Sequence, residues 1–421
     1  VYPFILKYKD REFIYIIPFV LISVHVRLRY FFYLLSSDRG LPQSEDSQWY
    51  IDYAYALMTN LKIGLHMNDL MYIGYNVLLT LLLALFHDPV TVVFIQAVAA
   101  GLGVILVYLI ARMLFNRTTA ILASFFYCYY SWGITLWSMY ILSESFFINL
   151  LLLCVFFLLK YLQSKKRLYQ VLFIVSSLYM LVFRPTGIVS LAFILIYVVI
   201  NLHRDIIFNF VKKHRLSIGA CFIAIAAACI YMFTSDTFRP LVDSMQFNAK
   251  KVLYNIYANG WIYDKATPHD HYFKPDYTIN IMNSLILSFL INNWDHVLIL
   301  YGKRAIAFLG KWVWETNVSS LRGILGLAEH LVPTMLFAVG TVAAIVNKIF
   351  RKTSIIWLLV LAVFIFCIVF FIDALYRYKA PAIPFIGIAV AYGADSMLRG
   401  LMFIAKKYAG KLLWKKKKYS L

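Results

Sequence analysis

The chain is 421 residues long, 62% of them apolar and only 14% charged. Soluble domains usually carry about 25% charged residues, so a soluble enzyme is excluded and an all-α, polytopic membrane protein is expected. The net charge of +20 would suit nucleic acid, but the basic residues fall in short clusters between apolar runs, as in Lys165-Lys166-Arg167, Lys212-Lys213 and Lys415 to Lys418. Such clusters are topology signals and suit an anionic lipid surface, so membrane lipids are expected as partners and nucleic acid is not.

The chain begins at Val1, so a few residues are expected in front of it, and no cleavable signal peptide is evident. About ten spans are expected, at 13–33, 89–111, 118–137, 142–161, 168–184, 186–202, 216–234, 330–349, 354–373 and 380–398. Several approach the roughly 17–25 residues that cross a bilayer. An even number puts both termini on one side. That side holds most of the 40 Lys and Arg residues in short loops and in the tail, which makes it cytoplasmic. Of the acids, only Asp10, Glu12, Asp205 and Asp395 share it. An N-terminal module (1–234) therefore precedes an outer-face loop (235–329) and a C-terminal module with a basic cytoplasmic tail (330–421).

The outer loops, 34–88 and 235–329, are expected to carry helices lying along the membrane surface. Tyr50, Tyr53, Ala54 and Leu57 recur at helical spacing after Asp46, and the stretch from Trp294 to Trp314 has a similar pattern. No internal repeat is evident, which weighs against an inverted-repeat transporter. The five cysteines sit in apolar runs without metal-ligand spacing and read as core residues.

Ionisable groups at membrane depth are costly and usually mark function. On the expected outer face these are Asp46, directly after the first span, then Asp69, Glu144, Arg184 before Pro185, and Arg377 with Lys379. Each has a plainer alternative. Asp46 would cap a surface helix, Glu144 would favour a helix N-terminus, Arg184-Pro185 would be an interfacial turn, and Arg377 and Lys379 would be solvated charges. His66, His269 and His271 read as solvated loop residues. No cofactor is called for, and a divalent metal is left open.

Several motifs occur in a set order. They are Asp46-Ser47-x-x-Tyr50-x-x-x-Ala54, Asp69 five before Gly74-Tyr75, Ser143-Glu144, Arg184-Pro185, and Arg377-Tyr378 with Pro381 and Pro384. In this the sequence resembles the membrane glycosyltransferases of the GT-C class, such as bacterial aminoarabinose transferases and protein O-mannosyltransferases. The resemblance covers 13–190 and 354–398. The chain lacks the extra domains of the eukaryotic protein mannosyltransferases, so a bacterial source is expected.

The resemblance implies transfer of a sugar from a polyprenyl-phosphate donor to a glycan, lipid or protein acceptor. The reaction would take place at the outer face of the cytoplasmic membrane, with inversion. Asp46 is the expected general base, with Asp69 and Glu144 as further catalytic acids. Arg377 and Arg184, backed by Lys379 and Arg29, would bind the donor phosphate. Tyr50, Tyr75 and Tyr378 would contact substrate. A flippase for lipid-linked sugars and a polysaccharide polymerase or ligase are the competing readings.

Overall fold

The computed structural model describes residues 11–60, 71–202, 209, 212–234, 246–247, 249–250, 252–259, 273–310, 318–368 and 375–418. Among these residues the structure is helical, with no strand. The N-terminal half holds α1 (Phe13–Leu35), α2 (Glu45–Asn60), α3 (Ile73–Phe86), α4 (Pro89–Leu114), α5 (Arg117–Tyr129), α6 (Trp132–Trp137), α7 (Glu144–Ser164), α8 (Arg167–Phe183), α9 (Pro185–Asn201) and α10 (Arg215–Thr234). The rest holds α11 (Leu285–Asn292), α12 (Trp294–Leu309), α13 (Leu321–Val346), α14 (Phe350–Thr353), α15 (Ile355–Ile368), α16 (Leu375–Tyr378) and α17 (Ile383–Lys418).

Five described helices are long and apolar enough to cross a bilayer: α1, α4, α7, α13 and the stretch Tyr376–Lys407 that runs into α17. All five coincide with expected spans. Those at 168–184, 186–202, 216–234 and 354–373 appear as shorter apolar helices, and 369–374 lies outside the described residues. The expected span at 118–137 is interrupted between Tyr129 and Trp132. Buried Arg27 of α1 stands at this break, donating to Ser131 Oγ (3.0 Å) and to the Tyr127 carbonyl (3.4 Å). It thus supplies a partner to backbone that the interrupted helix leaves open. The helices α11 and α12 meet at a bend of 88°.

Small residues allow the helices to approach closely where lipid offers no hydrophobic drive for association. A Cβ on Gly340 of α13 would meet the Ala389 carbonyl at 2.4 Å, and one on Gly393 of α17 would meet the Leu336 carbonyl at 2.0 Å. That backbone contact fixes α17, which also packs along α5 and contacts α15.

Polar contacts define two faces. On one, Glu12 accepts from Tyr108 Oη (2.5 Å), Arg112 Nε (3.0 Å) and Arg117 Nη2 (3.2 Å). There Asn116 caps α5 and donates to Asp395 of α17 (2.7 Å). The start of α1 and Asp395 of α17 therefore meet at one corner. At the opposite end of α4, Ser145 Oγ donates to the Gln96 carbonyl (3.1 Å) and brings in the first turn of α7. The short helix α3 stays at this end. Tyr75, near its start, reaches Gln96, and its last residue, Phe86, lies just before Pro89. It is one of the shorter apolar helices.

Candidate active site

Four charged residues, each at or near the end of a different helix, converge on the face opposite Glu12. Glu144 opens α7. Arg184 separates α8 from α9 because Pro185 bars the preceding residue from the helical region, and its backbone is extended (φ −165°, ψ 145°). Arg377 lies in the single turn of α16, ahead of Pro381 and Pro384. Asp46 is the second residue of α2. The cap of that helix is Ser44, whose hydroxyl accepts from Ser47 N (3.1 Å). The Asp46 carboxylate instead takes a bond from Arg377 Nη1.

Arg377 bridges the two acids. Its Nε donates to Glu144 Oε1 at 2.5 Å while Nη1 holds Asp46 Oδ2. Arg184 Nη1 lies 2.9 Å from the same Glu144 oxygen. That contact is close but poorly aligned, so it counts as an ion pair and not a hydrogen bond. Glu144 and Arg184 are buried at 0% and 1% exposure, whereas the Asp46 side chain is 52% exposed. Glu144 Oε2 and the guanidinium nitrogens of Arg184 make no hydrogen bond. Buried polar groups are normally bonded, so hydrogen-bonding capacity remains in this cluster.

Aromatic rings wall the charges. The Tyr378 ring lies 4.6 Å from the Arg184 guanidinium and 5.4 Å from that of Arg377, with Trp137 of α6 5.9 Å from the latter. Tyr50 packs edge-on against Tyr75 (4.8 Å) and Tyr72 (5.7 Å). Burial pushes the Tyr50 and Tyr72 phenols above their usual range, so both remain protonated donors and not bases.

With this geometry in view, the comparison with known families is direct. Residues 73–233 match the family model described as dolichyl-phosphate-mannose-protein mannosyltransferase. The match, which spans residues 73–233, supports a membrane glycosyltransferase of the GT-C type. The match contains Tyr75, Glu144 and Arg184, while Asp46 and Arg377 lie outside it. No curated protein matched the chain in a sequence search.

The other residues singled out from the sequence fall as follows. Asp69, His66, His269 and His271 lie outside the described residues. Arg29 is exposed on α1, apart from the cluster. Lys379 is buried, and its Nζ donates to the carbonyls of Ala307 (3.0 Å) and Gly310 (3.2 Å), where it ties down the end of α12. Among the described residues, no group of three His, Cys, Asp or Glu side chains is placed to hold a metal. Two contributors were not foreseen: Trp137, and Tyr72, which lies inside the stretch from Asp69 to Gly74-Tyr75. Arg27, two residues before Arg29, is buried at the break between α5 and α6 and not in the cluster. Beside the cluster is a largely apolar cavity of ≈ 850 Å³ including its open mouth, lined by Tyr127, Tyr130, Trp132, Phe308, Tyr376 and Lys379 among others.

Proposed function

We propose that this glycosyltransferase moves a sugar from a polyprenyl-phosphate donor to an acceptor hydroxyl on the outer face of the cytoplasmic membrane, with both termini cytoplasmic. The observation that carries this reading is the bridge of Arg377 between an exposed and a buried acid, with Arg184 on the same buried carboxylate. The acceptor oxygen attacks the anomeric carbon and forms the new C–O bond. The C–O bond to the carrier phosphate breaks, and its electron pair stays on the phosphate oxygen. The acceptor proton passes to a carboxylate, for which Asp46 is the candidate and Asp69 the second. Attack opposite the leaving phosphate inverts the anomeric centre. Arg377 and Arg184 meet the charge developing on the phosphate, and Glu144 positions both guanidiniums. The apolar cavity beside Tyr376 suits the isoprenoid chain, and the tyrosine wall suits the sugar.

The test is transfer by the purified protein from a polyprenyl-phosphate mannose to a panel of glycan, lipid and peptide acceptors, with the product anomer assigned by NMR. Net inversion, with activity lost in Arg377→Ala and largely kept in Arg29→Ala, is expected. A retained anomeric configuration, or an Arg377→Ala protein as active as the parent, overturns the reading.

A further inference from the structure

Arg377 grips its two acids unequally. Glu144 is fully buried, receives the guanidinium at Nε, and lies against Arg184 as well. Asp46 takes the Nη1 edge, is half exposed, and belongs to a surface helix whose start is already capped by Ser44. The two bonds differ accordingly in how readily they exchange. Parting Glu144 from Arg377 leaves charge stranded in a buried site, which is strongly unfavourable. Parting Asp46 returns a carboxylate to solvent, and partly exposed ion pairs are weak. A guanidinium presents a fork of donors that suits carboxylate and phosphate alike. The inner edge of Arg377 is thus fixed and the outer edge is exchangeable.

We infer that the outer edge of Arg377 is shared, holding Asp46 while the donor is absent and the donor phosphate when it is bound. This rests on the reading of Arg377 as a phosphate ligand given above. A carboxylate bonded to a guanidinium has its lone pairs engaged and is poorly placed to take a substrate proton. When the phosphate displaces it, Asp46 is released to act as a base beside the sugar that the same phosphate carries. Binding the donor therefore arms the base, and the donor binds before the acceptor. Glu144 is a positioning residue in this scheme, because its bond to Nε keeps the outer edge turned toward the site through the exchange.

The consequence is that Asp46→Asn has two opposite effects, abolishing transfer while tightening the grip on phosphate. The test is binding of farnesyl phosphate to the full-length purified protein, with farnesol, which lacks the phosphate, as the blank. Inorganic phosphate serves as competitor to separate headgroup from chain. Asp46→Asn should bind roughly two- to fivefold more tightly than the parent, the scale of a partly exposed ion pair. Glu45→Gln, which removes an equal charge one residue earlier, should bind as the parent does. Arg377→Ala should bind more weakly. If that variant does not purify as a single species, Arg377→Lys, which keeps the charge and loses the fork, carries the comparison. Weakened binding in the Arg377 variant together with unchanged or weaker binding in Asp46→Asn overturns the shared edge and leaves the phosphate role standing. An equal gain in Glu45→Gln overturns it too, since a diffuse field would then suffice. Parent-like binding in the Arg377 variant refutes the phosphate role itself and the proposed function with it.

Discussion

Glu144→Gln isolates the charge at the centre of the cluster without changing its shape. The parent carboxylate is fully buried and faces two guanidiniums through one oxygen, at 2.5 Å to Arg377 and 2.9 Å to Arg184. Breaking a buried ion pair from one side costs about 3–5 kcal/mol, because the partner charge is left uncompensated. The Gln carbonyl still accepts a bond and Asp46 still pairs with Arg377, so the cost for Gln lies near the lower end of that range. Glu144→Ala loses the acceptor as well and lies near the upper end. Cys128, Cys154 and Cys367 are free and buried, so in a background with Cys221 and Cys229 replaced by Ser a thiol-reactive dye reports unfolding during a thermal ramp. The unfolding midpoint should fall in the order parent, Gln, Ala, and the KM for the lipid-linked donor should rise in the Gln variant because Arg377 and Arg184 lose their shared anchor. A Gln variant with the parent's midpoint and donor KM would mean that Glu144 holds neither arginine in place.

The other expectations are read in separate assays. Asp46→Asn should fold normally, since Ser44 and not Asp46 caps α2, yet lose about 100-fold or more of transfer, the size of a general-base contribution. If Asp69→Asn alone is inactive, Asp69 is the base. Cysteines introduced near 164, 208 and 350 should be shielded from an impermeant thiol reagent in intact cells, while those near 42, 265 and 378 should label; the reverse pattern inverts the topology. Burial acts to raise the Glu12 carboxyl, but the bonds from Tyr108, Arg112 and Arg117 outweigh it and hold the group below the usual glutamate range. Its contribution to stability is therefore full above the unfolded glutamate's range and is lost as pH falls through the lower folded value. Glu12→Gln should accordingly flatten the acid limb of thermal stability measured against pH, and an unchanged acid limb would remove Glu12 from that balance.

Helices and charges were legible to different depths. Apolar run lengths located α1, α4 and α7 closely, because in lipid each backbone polar group must be bonded within its own helix. The break after Tyr129 was not legible, since no proline or glycine lies between α5 and α6 and its stabilising partner, Arg27, comes from a helix far away in sequence. Which arginine of α1 is buried, Arg27 and not Arg29, is set by helical phase. Residues two apart on a helix point to nearly opposite sides, and α1 is apolar all round, so its pattern does not say which side is buried. The aromatic wall was legible only in part. Tyr50, Tyr75 and Tyr378 sit in recognisable motifs and Tyr72 lies within one of them at an unspecified position, but in a chain with 31 tyrosines and 9 tryptophans nothing local separates Trp137 from rings that merely face lipid.

The cluster itself follows from where helices must stop. A bilayer allows little charge within a span, so charge accumulates where the backbone leaves the helix. Each such place here has a local cause: the Ser44 cap for α2, Pro185 for the gap between α8 and α9, and the Pro381 turn after Tyr378. Breaks on one face of a bundle lie near one another however distant they are in sequence. Asp46 and Arg377 are 331 positions apart and Glu144 and Arg377 are 233 apart, yet both pairs are bonded. Two acids and two arginines brought together in this way nearly cancel, which is what lets Glu144 and Arg184 be fully buried. That balance is also what an anionic donor would disturb, and the acid it displaces most easily is Asp46, the more exposed of the two.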